Sequence, residues 1–412
     1  MSEINVLIKN YQKDGQSTNN LIYKNNHLQK QILDYIIKNQ KSTISELANE
    51  IKISIPKVNE VILELLKKEI LKDLGKEVIG VGRKPNFYGV NPEVAYFIIV
   101  EVHRHSITLA IVNFSDDIVD IKPSIPFRLA NTEESFNELC VIIDNYLTTQ
   151  TIDPNKIIGI GMSITGRVNH KTGNSYSYFN MSTKSIKEII EERFKIPSYI
   201  ENDTRAMAVG ELYKGCVENE RDILFLNLDE GIGMGIIVDG KIYSGKSGFS
   251  GEFGHIPFFE NDIICHCGKK GCLETEVSGL ALIEELKSQI RNGITSQLSH
   301  DVQSNNTITI DKLVNAALKG DMLSIEIISR AGEKIGKGIA MLLNLFNPEL
   351  VILGGELSKS QSLILLPILS SINKYSLNLI NTDTIFKYSE LGKNSGILGV
   401  SISLRNQLLG IH

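Results

Sequence analysis

With 42% hydrophobic and 22% charged residues over 412 positions, the chain has the make-up of a globular protein with room for two or three cores, not of a disordered or fibrous one. Its polar start carries no apolar signal region and no apolar run reaches the length of a membrane span, so neither secretion nor membrane insertion is expected and the cytoplasm is the predicted location. The net charge of −5 divides unevenly: residues 1–90 carry 14 Lys/Arg against 10 Asp/Glu, and the rest carry 29 against 38. A basic head on an acidic body fits a small nucleic-acid-binding module joined to a body that binds something else.

Residues 1–26 are polar and Asn-rich and read as a flexible arm that has room for one short helix. From His27 a helical pattern begins, with Leu28, Ile32, Leu33 and Ile36 on one face, ending near Asn39. Thr43-Ile44-Ser45-Glu46 is a capping box that opens a second helix, whose apolar face is Ile44, Leu47, Ala48 and Ile51. A third helix follows Ser54, with Pro56 tolerated in its first turn and Val58, Val61, Ile62, Leu65 and Leu66 facing inward. The short connection between these two helices is the helix-turn-helix arrangement. Ile70-Leu71, a turn at Gly75, Val78-Ile79 and the Gly80–Pro85 stretch then predict a β-hairpin wing with a basic tip at Arg83 and Lys84, suited to phosphates or a narrow minor groove. Lys57, Asn59 and Glu60 lie off the apolar face of the third helix, in the half that meets base edges. Residues 27–91 are therefore expected to form a winged-helix DNA-binding domain, a three-helix interaction module being the alternative.

After Asn91-Pro92, over residues 92–412, the pattern changes to α/β. Paired strands are predicted at Tyr96–Glu101 and Ser106–Asn113, a helix near 133–147, a buried strand at Ile157–Met162, a helix near 184–194 and a strand at Ser198–Ile200. The order recurs with strands at Asp222–Leu228, Gly233–Val238, Lys241–Tyr243 and Leu350–Leu353. This repetition suggests two related lobes with a cleft between them.

Of five cysteines, Cys140 and Cys216 read as packing residues. The other three sit in Cys265-His266-Cys267-Gly268-Lys269-Lys270-Gly271-Cys272, ten residues beyond His255. One imidazole and three thiolates at these spacings complete a closed tetrahedral zinc site, and Cys267 and Cys272 bracket a Gly-containing turn that lets the backbone fold around an ion. His266 competes with His255 as the nitrogen ligand. Glu252 and Glu274 flank this motif. Asn202-Asp203 follows a strand and opens a helix, where a carboxylate and an amide suit the floor of a polyhydroxylated-ligand site; for Asp203 alone a helix cap is the simpler reading.

Glu201-Asn202-Asp203, Gly251-Glu252-Phe253-Gly254-His255, Cys265-x-Cys267-Gly268-x-x-Gly271-Cys272-Leu273-Glu274 and Asn347-Pro348-Glu349 leading into Gly354-Gly355 together resemble the ROK family of repressors and sugar kinases. The winged helix places the chain near the family's xylose and N-acetylglucosamine repressors. The resemblance implies a two-lobed actin-like and hexokinase-like (ribonuclease H-like) domain. It implies sugar contacts from Asn202, Asp203, Glu252, His255 and Glu274, structural Zn2+ on His255, Cys265, Cys267 and Cys272, and a homodimer or homotetramer on an operator in double-stranded DNA. In the family's kinases the residue matching Asp203 is the general base.

Two stretches depart from the kinase pattern. Glu101-Val102-His103-Arg104-His105 stands where family kinases carry Asp-x-Gly-Gly-Thr, so side chains obstruct the approach of backbone N–H groups to phosphate, although His and Arg offer another way to hold an anion. Asp229-Glu230-Gly231 replaces Gly-Thr-Gly, setting two carboxylates where a triphosphate is expected. The resulting expectation is a sugar-responsive transcriptional regulator of carbohydrate-utilisation genes, a repressor that binds a sugar effector and is no enzyme. The alternative is an ATP-dependent sugar kinase with a fused DNA-binding head.

Overall fold

The computed structural model describes residues 3–13, 20–76 and 85–411. The chain forms two compact units, one of residues 1–209 and 396–412, the other of residues 210–395.

The first unit begins with helix α1 (Glu3–Lys13), in the stretch expected to be a flexible arm with room for one short helix. Ile4, Leu7, Ile8 and Tyr11 recur at helical spacing and are all buried, which explains the helix despite its polar composition. Helix α2 (Asn20–Asn39) starts seven residues before the expected His27 and buries Leu28, Ile32, Leu33 and Ile36. Strand β1 (Lys41–Thr43) leads into α3 (Ile44–Ile51), whose Thr43 accepts the Glu46 N–H while Glu46 accepts the Thr43 N–H at 2.8 Å. Helix α4 (Ile55–Lys67) follows, with Pro56 in its first turn; Ser54 precedes it but makes no side-chain cap bond. Val58, Val61, Ile62 and Leu65 pack inward with Leu47 and Ala48.

Strands β2 (Leu71–Lys76) and β3 (Asn86–Val90) pair antiparallel, and β1 pairs with β3 on its other side. Gly75 does not make the wing's turn. It sits within β2 at a bulge after Asp73, with φ +82°, and its N–H reaches the Asp73 carboxylate at 2.8 Å; this local bond lets the strand continue to Lys76. Val78-Ile79, Arg83 and Lys84 lie outside the described residues.

A five-stranded sheet of order β10-β7-β4-β5-β6 centres the rest of this unit: β4 (Tyr96–Val102), β5 (Ser106–Asn113), β6 (Ile118–Pro126), β7 (Ile157–Ile164) and β10 (Ser198–Asn202). A two-stranded hairpin, β8 (Val168–Asn169) with β9 (Asn174–Ser175), lies in the connection before β10. β7 is buried along its whole length, as a strand covered on both faces must be. Helix α5 (Glu133–Thr148) carries Cys140, which is buried and whose thiol burial pushes up to about 11, so it is a packing residue as expected. Helices α6 (Ile186–Phe194), α7 (Asp203–Lys214) and α15 (Ser395–Leu409) complete the layers, the chain passing to the second unit within α7 and returning at α15. A Cβ on Gly161 would meet Val400 of α15 at 2.4 Å, so only glycine lets that helix lie so close to β7.

The second unit has a sheet of order β13-β12-β11-β14-β15, built from β11 (Ile223–Leu228), β12 (Ile232–Val238), β13 (Lys241–Ile242), β14 (Leu350–Gly354) and β15 (Ile385–Tyr388). β12 returns antiparallel from β11, while β14 joins β11 in parallel after a long helical crossover. That crossover holds α8 (Glu274–Val277), α9 (Gly279–Arg291), α10 (Ser299–Gln303), α11 (Ile310–Leu318) and α12 (Met322–Phe346); α13 (Ser362–Tyr375) and α14 (Asn378–Asp383) come between β14 and β15. Leu226, Phe253, Leu273, Leu286, Ile335 and Leu353 are among its buried core residues. No helix among the described residues is long and apolar enough to cross a membrane.

Candidate functional site

In the second unit, β13 leads through Gly251-Glu252 to a tight turn at Phe253–His255. The chain then doubles back on itself, with antiparallel bridges between Pro257 and Cys272 and between Ile264 and Lys270. Gly268 (φ +84°) and Gly271 (φ +73°) take left-handed conformations between Cys267 and Cys272, and Gly268 N–H closes the turn on Cys265 O at 2.8 Å. The result gathers four ligand atoms, from His255, Cys265, Cys267 and Cys272, all within 4.8 Å of one another. Cys267 Sγ lies 3.6 Å from Cys272 Sγ, and Cys265 Sγ lies 3.6 Å from His255 Nδ1. Four donors tetrahedral about zinc at a Zn–S length near 2.3 Å have edges of about 3.7 Å, so this donor set has the size and chemistry of a structural zinc site.

His255 turns Nδ1 toward the sulfurs and Nε2 toward Glu252, 3.8 Å from its carboxylate. His266 falls outside the four-donor cluster; it groups with His255 and Glu274. His266 Nδ1 is 3.0 Å from Glu274 Oε1. Burial alone would raise the Glu274 carboxyl, but the bond and charge of His266, the charge of His255 and the Ile232 N–H outweigh it and hold it below the usual range. Glu252, His255 and Glu274 thus lie around one loop, as their spacing suggested.

In the same unit, Asp229-Glu230-Gly231 forms the turn between β11 and β12. The Asp229 carboxylate accepts the N–H of Glu230 at 2.8 Å and that of Glu356, just past Gly354-Gly355, at 3.4 Å. Burial pushes Asp229 up, with the charges of Glu356 and Glu230 adding, while the two N–H groups pull it back. These backbone donors are engaged by an internal anion.

In the first unit, Asn202 ends β10 and Asp203 opens α7. Asn202 Oδ1 accepts the Arg205 N–H at 3.0 Å, so Asn202, not Asp203, is the helix cap. Asn202 Nδ2 donates to Gly166 O and to Asp203 Oδ1, each at 2.9 Å. Thr204 N–H also reaches Asp203 Oδ1, at 2.7 Å. All of the Asp203 hydrogen bonds among the described residues fall on Oδ1, which leaves Oδ2 as an acceptor. Sequence reasoning missed the support beneath this pair. Glu201, fully buried, takes Arg205 at 2.7 Å, the Tyr199 hydroxyl at 2.9 Å and the Asn202 N–H at 2.8 Å. The spacing of Glu201 and Arg205, four residues apart across a strand–helix junction, is the signal that could have found it.

Glu101, at the end of β4, is buried and pushed up to about 8, first by loss of solvent and then by the nearby Asp203 charge. His103–His105 make the tight β4–β5 turn, His103 N–H bonding Ser106 O at 2.9 Å. A carboxyl with a higher pKa folded than unfolded binds more protons in the folded chain, so its contribution to stability falls as pH rises from about 4.5 to about 8. Glu101→Gln is therefore expected to melt a few degrees above the natural chain at about pH 8.5, the gap narrowing toward about pH 5. Thermal melts across that range check this, and a gap independent of pH contradicts it.

In the head, Lys57, Asn59 and Glu60 lie off the buried face of α4 as expected. Asn59 and Glu60 are exposed, and Lys57 Nζ pairs with Glu60 at 2.8 Å.

Comparison with known proteins matches a model described as the ROK family to residues 98–407, and a winged helix-turn-helix DNA-binding model to residues 25–72. The chain is 28% identical over 371 residues to the DNA-binding transcriptional dual regulator NagC of Escherichia coli (strain K12), covering 89% of each protein. It is 29% identical over 308 residues to a glucokinase of Halalkalibacterium halodurans, covering 74% of this chain and 93% of the enzyme. A crystal structure of a ROK family transcriptional regulator, a homologue of the E. coli MLC protein, superposes with a TM-score of 0.77 at 24% identity, covering 92% of this chain and 96% of that one. The predicted architecture, a winged helix ahead of an α/β domain of the hexokinase-like kind, is the one observed.

Proposed function

The chain belongs to the ROK family, and from that premise we propose that it is a sugar-responsive DNA-binding transcriptional regulator, a repressor of carbohydrate-utilisation genes acting in the cytoplasm. The observation that carries this reading is that the match to NagC spans head and body together, 89% of both chains, whereas the glucokinase match covers 74% of this one. Residues 27–91 are the proposed operator-binding domain and residues 92–412 the effector-binding domain, with residues 1–26 ahead of them. Lys57, Asn59 and Glu60 of α4, with Arg83 and Lys84, are the proposed DNA contacts. A homodimer or homotetramer would set two heads on a pseudo-palindromic operator.

The proposed sugar contacts are Asn202, Asp203, Glu252, His255 and Glu274, carboxylates accepting from hydroxyls and the amide and imidazole completing the pattern. Zinc held by His255, Cys265, Cys267 and Cys272 would supply no reaction chemistry; it would fix the loop that carries Glu252 and Glu274. Sugar shifts operator affinity only if it binds one arrangement of the protein better than another.

Binding without phosphorylation is supported by the Asp229 carboxylate on the Glu230 and Glu356 N–H groups, in the loop that the family's kinases use for phosphate, and by the absence of glycines at 102–105. A second reading, a sugar kinase with a DNA-binding head, is favoured by the retained Asp203 with its Oδ2 left as an acceptor. Melting the zinc-loaded chain against a panel of sugars and sugar phosphates, with and without Mg-ATP, separates the two. A ligand at 100 times its Kd adds about 2.7 kcal/mol to the folded state, a visible shift. One sugar should shift Tm without nucleotide. A shift that needs ATP, with sugar phosphate formed, would make the protein an enzyme.

A further inference from the structure

His266 stands between two of the clustered thiols but outside the four-donor set, its Nδ1 3.8 Å from Cys265 Sγ and closer to Glu274. Nδ1 lies 3.0 Å from Glu274 Oε1, and the Glu274 side chain is only 13% exposed. The second oxygen, Oε2, faces two glycines: a Cβ on Gly254 would stand 3.1 Å from it, and one on Gly231 3.4 Å. The carboxylate is thus held by the His266 imidazole and the Ile232 N–H and hemmed at Oε2 by positions without side chains.

We propose that His266 is a positioning residue for the sugar site. Its Nδ1–H donates to Glu274 Oε1 and fixes the plane of the carboxylate, leaving Oε2 to accept from a sugar hydroxyl; this rests on the reading above that Glu274 contacts the sugar. Because Cys265 and Cys267 flank His266, zinc on those thiols fixes the imidazole's backbone, and sugar affinity then depends on the metal through one hydrogen bond.

Two variants of the zinc-loaded full chain test this, with zinc content measured colorimetrically and affinity by calorimetric titration of the sugar found in the melting panel. His266→Ala removes the donor. His266→Asn places an amide N–H where Nδ1–H stood. His266→Ala should keep its zinc and bind the sugar roughly 10-fold more weakly, in line with loss of a bond to a charged group. His266→Asn should recover to within about 3-fold of the natural chain, a rescue that a merely structural role does not give. Natural affinity in His266→Ala overturns the inference alone, as does loss of zinc together with affinity or failure of His266→Asn to rescue. A natural chain that binds no sugar overturns the reading of the site and this inference with it.

Discussion

Cys267→Ser is expected to abolish stable zinc binding and, with it, the response to sugar, while the helix-turn-helix still binds operator. A serine hydroxyl stays protonated where the cluster needs a thiolate, and the left-handed turns at Gly268 and Gly271 are held mainly at the loop's surface, by pairs such as Lys270 with Asp262. Structural zinc contributes about 10–16 kcal/mol in peptides that fold only with metal, an upper bound for a unit with its own core. Losing about 3 kcal/mol of that would lower Tm by roughly 6–12 °C. Zinc content, melting and operator binding on one preparation check the whole chain of cause. Unchanged zinc content with an intact sugar response contradicts the assignment.

Asp203→Asn carries the second large effect. The amide keeps an oxygen for the Thr204 N–H, so α7 should start as before, but it removes the negative acceptor at Oδ2. A hydrogen bond to a charged group is worth about 1.5–3 kcal/mol, so sugar affinity should fall roughly 10- to 100-fold. Operator binding without sugar should not change, since α3 and α4 share no residue with this site. Calorimetry on the sugar and fluorescence anisotropy on operator DNA, in one buffer, check both halves. Full sugar affinity in the variant would remove Asp203 from the site.

Much of this was legible because the signals are local. The Thr43–Glu46 capping box, the buried faces of α2 to α4, the β4–β5 pair and the His255–Cys272 cluster each follow from residue types at fixed spacing. Other features were readable and obscured. Ile4, Leu7, Ile8 and Tyr11 keep helical spacing, but Asn and Gln around them suggested an arm. Strand β6 carries Pro123 and exposes Val119 and Ile121, so it lacks the alternation of a half-buried strand. Gly75 signalled a turn but serves a bulge, because the Asp73 side chain bonds its N–H. What depends on partners brought in by the fold was not readable at all: that His266 stands closer to Glu274 than to the Cys265 thiol, and that Asp229 turns onto the Glu356 N–H.

A sugar is expected to weaken the hold of this protein on its operator. The most direct measurement takes a duplex selected by the zinc-loaded chain from a random pool and determines its Kd, at one fixed salt concentration, with and without the sugar that raises Tm. A sugar effector acting through typical coupling should raise that Kd roughly 5- to 150-fold. A Kd unmoved by saturating sugar would mean that the sugar does not govern operator binding.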